Sequence, residues 1–399
     1  MKSVFLPITQ LEGRLVSPTQ EPMIRAFHYP LHPTKDQEAT LKAWLAACQQ
    51  LYNGALQHRR DAWRRQRVSI QYYDQQRELT ELRASDPEWA AIPAWVERSA
   101  LTRLDRAFNS FFRRVQSGQT PGFPRFKSRD RYDSFDLGSN LPRINGDRVH
   151  LPKLGPVKFH KYRELRGEVR HVSVSRTARG WSISFVCDLG AAPVKVSVRS
   201  TVGVDVGLEA FATLSNGERV ENPRFFRAGE EILARRQQSL ARKRRGSSSR
   251  RAAKRLVARA HEHIRNQRLD FARKLTCALF DRFDLVAHED LTISRMVHGN
   301  LAKSIHDAAW GQFLGALACK AESAGKWCVP VDPRGTSQTC PSCGTVAKKM
   351  LEEREHRCSC GFSAHRDHAA ALNVLALGLS AGQLTEASSV EVKPIEWRA

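Results

Sequence analysis

Val202-Gly203-Val204-Asp205-Val206-Gly207 is an apolar segment with one acidic side chain in its middle, and it decides the fold of this chain of 399 residues. A second apolar run, Phe211-Ala212-Thr213-Leu214, follows it closely. Asn216-Gly217 comes next, and this dipeptide is the strongest short signal for a two-residue β-hairpin turn. We therefore expect three short strands joined by hairpins, with Asp205 inside the first of them.

The segments after these strands alternate between helical and strand patterns. A basic helical stretch runs from Pro223 to about Phe283 and is broken at Gly246-Ser247-Ser248-Ser249, which predicts a helical hairpin. Further elements are predicted in the order strand, helix, strand, helix, at residues 285–289, 306–324, 327–331 and 367–379. This is the order of an RNase H-like α/β sheet, and we expect that fold from about Thr201 to Gly378.

Three acidic residues occupy converging positions in this fold. Asp205 lies in the first strand, Glu289 ends the fourth strand and Asp367 opens the last helix. The first and fourth strands are neighbours in such a sheet, and the start of the last helix can reach the same point. Three carboxylates in one place repel one another unless cations lie between them, and Mg²⁺ prefers carboxylate and phosphate oxygens. We expect the three acids to be catalytic residues that bind two Mg²⁺ ions, which can activate water and stabilise a leaving oxygen.

Four cysteines fall within 21 consecutive positions, in Cys340-Pro341-Ser342-Cys343-Gly344 and Cys358-Ser359-Cys360-Gly361. Two close pairs of thiolates are typical of the knuckles of a zinc ribbon, and a closed set of four is a structural site. The charged residues between the pairs are too polar for a buried core. We expect one structural Zn²⁺, bound by Cys340, Cys343, Cys358 and Cys360. The ribbon would span residues 336–361 and interrupt a nuclease core that covers 200–335 and 362–380.

The residues before this core divide into a helical region and a β-rich region. Thr34-Lys35-Asp36-Gln37 matches a capping box, and apolar residues at helical spacing follow it. From Val149 to Leu189 the pattern changes to short alternating runs typical of strands. The predicted units are an N-terminal tail with a strand that stops at Pro30 (1–33), a helical domain (34–117), a β-rich module (118–199) and a flexible C-terminal tail (381–399).

The charge balance indicates a polyanionic partner. Lys and Arg number 64 against 41 Asp and Glu, which gives a formal net charge of +23. Nucleic acid fits such an excess, because Lys and Arg that approach phosphates release counterions. No apolar stretch reaches the length of about 18 residues that a membrane-spanning helix needs, and the N-terminal segment does not resemble a signal peptide. We expect a cytoplasmic, nucleoid-associated protein that binds no membrane.

Dense runs of basic residues are the first candidates for phosphate contacts. Between Arg224 and Arg259 the basic residues recur almost every helical turn, with few acids to balance them. A second set lies in the helical region, near aromatic residues that could stack on bases. These candidates are Arg59, Arg60, Arg242, Lys243, Arg244, Arg245, Arg250 and Arg251.

Several of these segments resemble the TnpB family, whose members are encoded by bacterial and archaeal insertion sequences and are related to type V CRISPR effectors. The segments similar to RuvC-type motifs of that family are Gly203-Val204-Asp205-Val206-Gly207-Leu208, His288-Glu289-Asp290-Leu291, Thr336-Ser337-Gln338-Thr339-Cys340 and Ala364-His365-Arg366-Asp367. Three others also resemble the family: Gly122-Phe123-Pro124-Arg125-Phe126-Lys127, Asn222-Pro223-Arg224-Phe225-Phe226-Arg227 and Ala308-Ala309-Trp310-Gly311-Gln312-Phe313. The resemblance covers roughly residues 25–380.

The resemblance implies an RNA-guided DNA endonuclease with a RuvC-type core. The β-rich module would be a wedge, and the helical region would be a recognition domain. A non-coding guide RNA would pair with one strand of a double-stranded DNA target, while the N-terminal half reads a short motif beside that target. Tyr52 and Asn53 lie in the helix that the family uses near the motif, and Arg125 and Lys127 lie in the segment 122–127, which also resembles the family. We expect a monomer.

Two positions depart from the family pattern and keep other functions open. Ala369 stands where the family usually carries Asn, two residues after the third acid, and the gap between Cys358 and Cys360 is one residue shorter than usual. A guided DNA-binding repressor without cleavage stays open because of Ala369. A transposase stays open because an RNase H-like core can perform strand transfer, and a junction resolvase is a fourth alternative. The three intact acids and the ribbon before the third one favour the guided nuclease.

Overall fold

The computed structural model describes residues 22–138, 140–299, 301–347, 350 and 353–380. The predicted tails, up to residue 21 and from residue 381, lie outside these residues. The chain begins with strand β1 (Pro22–His32) and continues with the helices α1 (Lys35–Gln66), α2 (Tyr72–Ser85), α3 (Pro87–Ala91) and α4 (Ala94–Gln116). The predicted capping box is confirmed at the start of α1, where Thr34 and Gln37 bond reciprocally to each other's backbone N–H.

A seven-stranded sheet follows the helices. Its remaining strands are β2 (Ser134–Asp136), β3 (Arg143–Asn145), β4 (Arg148–Leu151), β5 (Gly155–Phe159), β6 (Glu168–Thr177) and β7 (Gly180–Ala191). The strand order is β2-β6-β7-β1-β5-β4-β3. Alternate residues such as Val172 and Val174 are fully buried and join one apolar core with α1 and α4. The predicted β-rich pattern of this region is confirmed.

The prediction that the first strand stops at Pro30 is wrong. Leu31 pairs with Phe159 of β5, so β1 continues to His32. Proline lacks a backbone donor but keeps its acceptor, and the Pro30 carbonyl accepts a hydrogen bond from the N–H of His160 at 2.8 Å.

The second sheet has five strands: β8 (Thr201–Val206), β9 (Ala210–Leu214), β10 (Arg219–Glu221), β11 (Leu285–Glu289) and β12 (Trp327–Val331). Their order is β10-β9-β8-β11-β12. The first three strands are antiparallel, whereas β11 runs parallel to both β8 and β12. The predicted order is confirmed, including the adjacency of the first and fourth strands. The hairpin turn predicted at Asn216-Gly217 is present, but its loop has three residues (215–217) and not two, because the N–H of Leu214 donates to the carbonyl oxygen of Glu218 at 2.8 Å.

Helices cover both faces of this sheet. The predicted helical hairpin is confirmed as α5 (Phe225–Ala241) and α6 (Ser248–Arg282), and the short helices α7 (Ile293–Met296) and α8 (Ala302–Ala308) precede α9 (Trp310–Ala324). Ala309 has a left-handed φ of 55°, so the single helix predicted at 306–324 is divided there. No helix in the described ranges is long and apolar enough to cross a membrane.

The last elements are a small hairpin and a closing helix. Strands β13 (Glu355–Arg357) and β14 (Ser363–His365) pair with each other, and α10 (Arg366–Ser380) follows directly. Val374 of α10 packs on Leu285, Ala287 and Val329 of the sheet. Gly378 permits this packing, because a Cβ atom there would lie 2.5 Å from the Cβ atom of Ala287. The start of α10 is thereby held beside the strand ends that carry the acids.

Candidate functional site

The three predicted acids meet at one end of the five-stranded sheet. Val204 and His288 are partners in the parallel pairing of β8 with β11, so the residues that follow them, Asp205 and Glu289, are adjacent. Asp367 is in the first turn of α10. All three line one cleft of about 980 Å³.

Burial dominates the electrostatics of Asp205 and Glu289, and repulsion by the neighbouring acids adds to it at Asp205. Burial raises the pKa of Asp205 well above its ordinary 3.8, and the charges of Glu289 and Asp367 raise it further. Burial also raises the pKa of Glu289, while a hydrogen bond from Thr336 lowers it. A divalent cation relieves such repulsion, and clustered carboxylate oxygens are ligands for hard cations. The donor set therefore fits Mg²⁺.

The same cleft is lined by four arginines, Arg224, Arg227, Arg354 and Arg366. Asp307 holds the segment that carries the first two, since its carboxylate accepts the backbone N–H groups of Phe226 at 2.7 Å and Arg227 at 3.2 Å. Arg268 donates to the same carboxylate at 3.0 Å. Guanidinium groups bind phosphate oxygens well, so the cleft offers ligands for a cation and for a phosphate together.

The sequence places Arg224 and Arg227 in a basic stretch predicted to contact phosphates, but it does not assign them to this cleft. It assigns no role to Arg354, Arg366 or Asp307. Arg224, Arg227 and Arg366 do lie inside segments that resemble the TnpB family, and that was an available signal. Asp307 gave no comparable signal, because its partners in α5 are about 80 positions earlier in the chain.

Ala369 is fully buried on α10. Its methyl group can neither donate nor accept a hydrogen bond, so the position contributes no polar group beside Asp367. The asparagine of this helix is Asn373, one turn further on. Its Nδ2 donates to the carbonyl oxygens of Thr336 at 2.7 Å and Thr339 at 2.8 Å.

The four predicted zinc ligands also meet. The sulfur atoms of Cys340, Cys343, Cys358 and Cys360 all lie within 4.8 Å of one another. Two of the distances are 3.7 Å (Cys340 to Cys360) and 3.5 Å (Cys343 to Cys358), whereas thiolates bound to one tetrahedral Zn²⁺ lie about 3.8 Å apart. Hydrogen bonds involving Thr345 lower the pKa of Cys343 to about 6, which favours its thiolate at neutral pH. The cluster fits one structural zinc, and the short gap before Cys360 does not prevent it.

The basic residues of the α5–α6 hairpin divide into two kinds. Arg242, Lys243, Arg244, Arg245 and Arg251 are exposed. Arg250 instead holds the turn together, because its Nη1 donates to the carbonyl oxygens of Leu240 at 2.9 Å and Lys243 at 2.8 Å. The hairpin thus presents a basic surface around an internally bonded arginine.

Two residues of α1 that were predicted to contact nucleic acid are buried. Tyr52 is 1% exposed and packs against Tyr132, with ring centroids 6.1 Å apart. Arg59 is 9% exposed and donates to Oε1 of Gln75 at 2.8 Å. Both side chains contribute to packing between α1 and its neighbours in this structure.

The other residues of the N-terminal half that were predicted to contact nucleic acid lie around one loop, which contains Lys127. Asn53 holds the loop, because its side chain accepts from the N–H of Lys127 and donates to its carbonyl, both at 2.9 Å. Arg60 lies over the ring of Phe126, with its guanidinium carbon 5.1 Å from the centroid. Arg125 is exposed and Lys127 is half-buried. Arg60 therefore lies close to Arg125 and Lys127, at the surface of this loop.

Family models match three parts of the chain. A model of the IS605 OrfB family, described as "Probable transposase", matches residues 184–299. A model described as "Cas12f1-like, TNB domain" matches residues 310–374, which include the four cysteines. A model described as "Helix-turn-helix domain" matches residues 23–67.

Curated relatives match nearly the whole chain. A protein of Streptomyces pristinaespiralis, named "Putative RNA-guided DNA endonuclease", is 34% identical over 90% of this chain and 90% of its own length. The chain belongs to the IS605 OrfB/TnpB family. A second TnpB-family relative from Escherichia coli (strain K12), named "Putative RNA-guided DNA endonuclease InsQ", is 32% identical over 91% of this chain and 95% of its own length.

A solved structure shares the fold of this TnpB-family chain. It is the Cas12f1–sgRNA–target DNA complex, in which the matching protein covers 86% of this chain and 83% of its own length with a TM-score of 0.55. The sequence identity is 13%, so the likeness concerns the mixed α/β fold alone. The residues matched by the helix-turn-helix model form strand β1 and one unbroken helix of 32 residues in this TnpB-family chain.

Proposed function

We propose that the chain is an RNA-guided DNA endonuclease that hydrolyses phosphodiester bonds at targets beside a short DNA motif. The observation that carries the proposal is the convergence of Asp205, Glu289 and Asp367 in a cleft that four arginines also line. The names of the curated relatives, which match about nine-tenths of the chain, support the same function.

The residues of the cleft would divide the chemistry between them. Asp205, Glu289 and Asp367 would hold two Mg²⁺ ions, which when bound supply water activation and stabilisation of the leaving oxygen. Arg224 and Arg366 would bind phosphate oxygens of the scissile strand and align it over the carboxylates. Asp205 is partly buried, and the low dielectric of the surrounding protein would strengthen its attraction to a cation.

The remaining parts of the chain would bind the guide and the target. The strand order of the second sheet supports an RNase H-like, RuvC-type core over 200–335 and 362–380, with the zinc ribbon (336–361) inserted before the third acid. The seven-stranded sheet would be the wedge module (118–199), and the helices at 34–117 would be the recognition domain. The exposed run from Arg242 to Arg245, with Arg251, would contact the phosphates of a non-coding guide RNA. Arg60, Arg125 and Lys127 would contact nucleic acid beside the helical region.

Plasmid cleavage tests this function. The protein is co-expressed with its flanking genomic sequence and assayed with Mg²⁺ or with EDTA. We expect Mg²⁺-dependent cutting only at a site that matches the co-purified RNA. Asp205→Ala, Glu289→Ala and Asp367→Ala should each abolish cutting and leave RNA binding intact.

Asp290→Ala is the matched control, because Asp290 is the acid next to Glu289 but is exposed and does not line the cleft. This variant should cut normally. Tight guided binding by the native chain without any cut would indicate a repressor and direct attention to Ala369. Joining of DNA ends instead of cutting would indicate a transposase.

A further inference from the structure

Glu289 has a hydrogen-bond donor that sequence reasoning did not identify. The hydroxyl oxygen of Thr336 lies 2.5 Å from Oε1 of Glu289 and 3.0 Å from the carbonyl oxygen of Pro333. The contact with the carboxylate is the shorter of the two, so the hydroxyl donates mainly to Glu289. Thr336 is 3% exposed, so water does not compete strongly for this contact.

The backbone of Thr336 is itself held from α10. Nδ2 of Asn373 donates to the carbonyl oxygens of Thr336 and Thr339, so both amide protons bind one short loop. Asn373 is 8% exposed. Asp367 lies on the same helix, six residues earlier and about 9 Å along its axis. One helix therefore carries one acid of the cleft directly and supports a second acid through Thr336.

A glutamate needs such support more than an aspartate does. Its carboxylate turns about three side-chain bonds, and a metal ligand that is free to turn loses rotamer entropy when the cation binds. A fixed donor on one oxygen selects one orientation beforehand and leaves the other oxygen for a cation. Groups that orient metal ligands in this way have a large effect on metal affinity.

We propose that Thr336 is a positioning residue for Glu289: its hydroxyl, held in place by Asn373, fixes the Glu289 carboxylate for divalent-cation binding. The proposal rests on the proposed function, since it concerns the same metal site. It also gives the loop before Cys340 a role beyond its connection to the zinc ribbon, because that loop carries the donor.

Three substitutions of Thr336 test the hydroxyl separately from the shape of the side chain. Thr336→Val replaces the hydroxyl by a methyl group of similar size, Thr336→Ala removes it without crowding the carboxylate, and Thr336→Ser keeps it. The affinity for Mn²⁺ is measured by electron paramagnetic resonance on the full-length, zinc-loaded protein, with Glu289→Gln as the baseline. We expect Thr336→Val and Thr336→Ala to weaken the Glu289-dependent binding by roughly ten- to a hundredfold, and Thr336→Ser to bind close to the native value.

A second readout is the Mg²⁺ concentration at half-maximal cutting of the guided target. Thr336→Val and Thr336→Ala should raise this concentration, while saturating Mg²⁺ should restore most of the rate and Thr336→Ser should resemble the native protein. Native Mn²⁺ affinity in Thr336→Val and Thr336→Ala would overturn the proposal. So would equal weakening by Thr336→Ser, which would show that the shape of threonine matters and its hydroxyl does not. Thermal unfolding and zinc content are measured for each variant, and Thr336→Ala alone tests the loss of the hydroxyl if Thr336→Val fails to fold.

The Mn²⁺ measurement also separates this proposal from the proposed function. Native protein that binds Mn²⁺ through Glu289 but never cuts a guided target would contradict the nuclease and leave the role of Thr336 to be decided by its variants. Native Mn²⁺ binding that does not change in Glu289→Gln would overturn the positioning role, whatever the protein cuts.

Discussion

A Cβ atom built on Gly203 would lie 2.1 Å from the carbonyl oxygen of Ala371. The backbones of β8 and α10 therefore touch without a side chain between them. Gly203 is two residues before Asp205, and Ala371 is four residues after Asp367. This backbone contact sets how closely the first and third acids approach each other.

Gly203→Ala should separate the two elements. The added methyl group meets a backbone oxygen that cannot rotate away, so we expect a loss of stability of about 1–3 kcal/mol or more. Because α10 must shift, Asp367 should move from Asp205 and cutting should fall steeply. Urea unfolding and single-turnover cleavage measure the two effects. Gly54→Ala is the control: it is in α1 with no neighbour within 4 Å of its Cβ position, and it should gain about 0.5–1 kcal/mol.

Asp205→Asn should stabilise the protein in the absence of metal. Burial and the charges of Glu289 and Asp367 disfavour the ionised form of Asp205, and a neutral amide of similar size removes that cost at neutral pH. For each kcal/mol gained the melting temperature of a domain of this size rises by about 2–4 °C. Scanning calorimetry in EDTA measures the gain, with Asp290→Asn as an exposed control. Added Mg²⁺ should raise the melting temperature of the native protein more than that of Asp205→Asn, and an equal response would place the metal elsewhere.

The pH dependence should have opposite signs for stability and for cutting. The pKa of Asp205 is raised above 3.8 and that of Glu289 above 4.5 in the folded state. The stability that these two groups give the metal-free protein is therefore fully present at pH values below their ordinary pKa values. It is lost as the pH rises through their raised pKa values. Cutting should rise over the same interval, because cations compete with protons for the carboxylates. More Mg²⁺ should move the acid limb of the rate profile to lower pH, and a limb that does not respond to Mg²⁺ would contradict this assignment.

Cys343→Ser should abolish zinc binding. The four sulfur atoms lie within 4.8 Å of one another, and a hydroxyl in place of one thiolate is a poor zinc ligand. Metal analysis should show one Zn²⁺ per chain in the native protein and close to none in the variant. Cys277→Ser is the control, because Cys277 is an exposed thiol on α6 outside the cluster. Full zinc retention in Cys343→Ser would show that the cluster does not hold the metal.

Substitutions of two neighbouring arginines on α6, Arg250 and Arg251, should have different effects on guide-RNA binding and on stability. Arg251 is exposed, so Arg251→Ala should weaken guide-RNA binding, lower the slope of log affinity against log salt by about one, and leave unfolding unchanged. Arg250→Ala removes hydrogen bonds to two backbone carbonyls and should lower stability by about 1 kcal/mol. Filter binding over a range of salt concentrations and urea unfolding separate the two. Equal effects of both substitutions on both measurements would contradict the distinction.

Much of the fold was predictable because its signals are local. The Asn216-Gly217 turn, the break at Gly246 and the Thr34 capping box each depend on residues a few positions apart. The strand order then implied that Asp205 and Glu289 are neighbours, as the pairing of β8 with β11 shows. The strand end predicted at Pro30 was wrong because the proline carbonyl still accepts a hydrogen bond, from the N–H of His160. The division at Ala309 was missed because alanine rarely adopts a left-handed conformation and gives no signal for it.

The sequence by itself determined the kinds of element, the types of ligand and their order along the chain, because periodicity and close spacing are properties of neighbouring residues. Only the tertiary structure decided which side chains are exposed and which are already bonded. It placed Tyr52 and Arg59 in the interior, and it brought Thr336 to Glu289 across 47 positions and Asp307 to the start of α5 across about 80 positions. Contacts at such separations depend on how whole helices and sheets pack, and no local pattern encodes that packing.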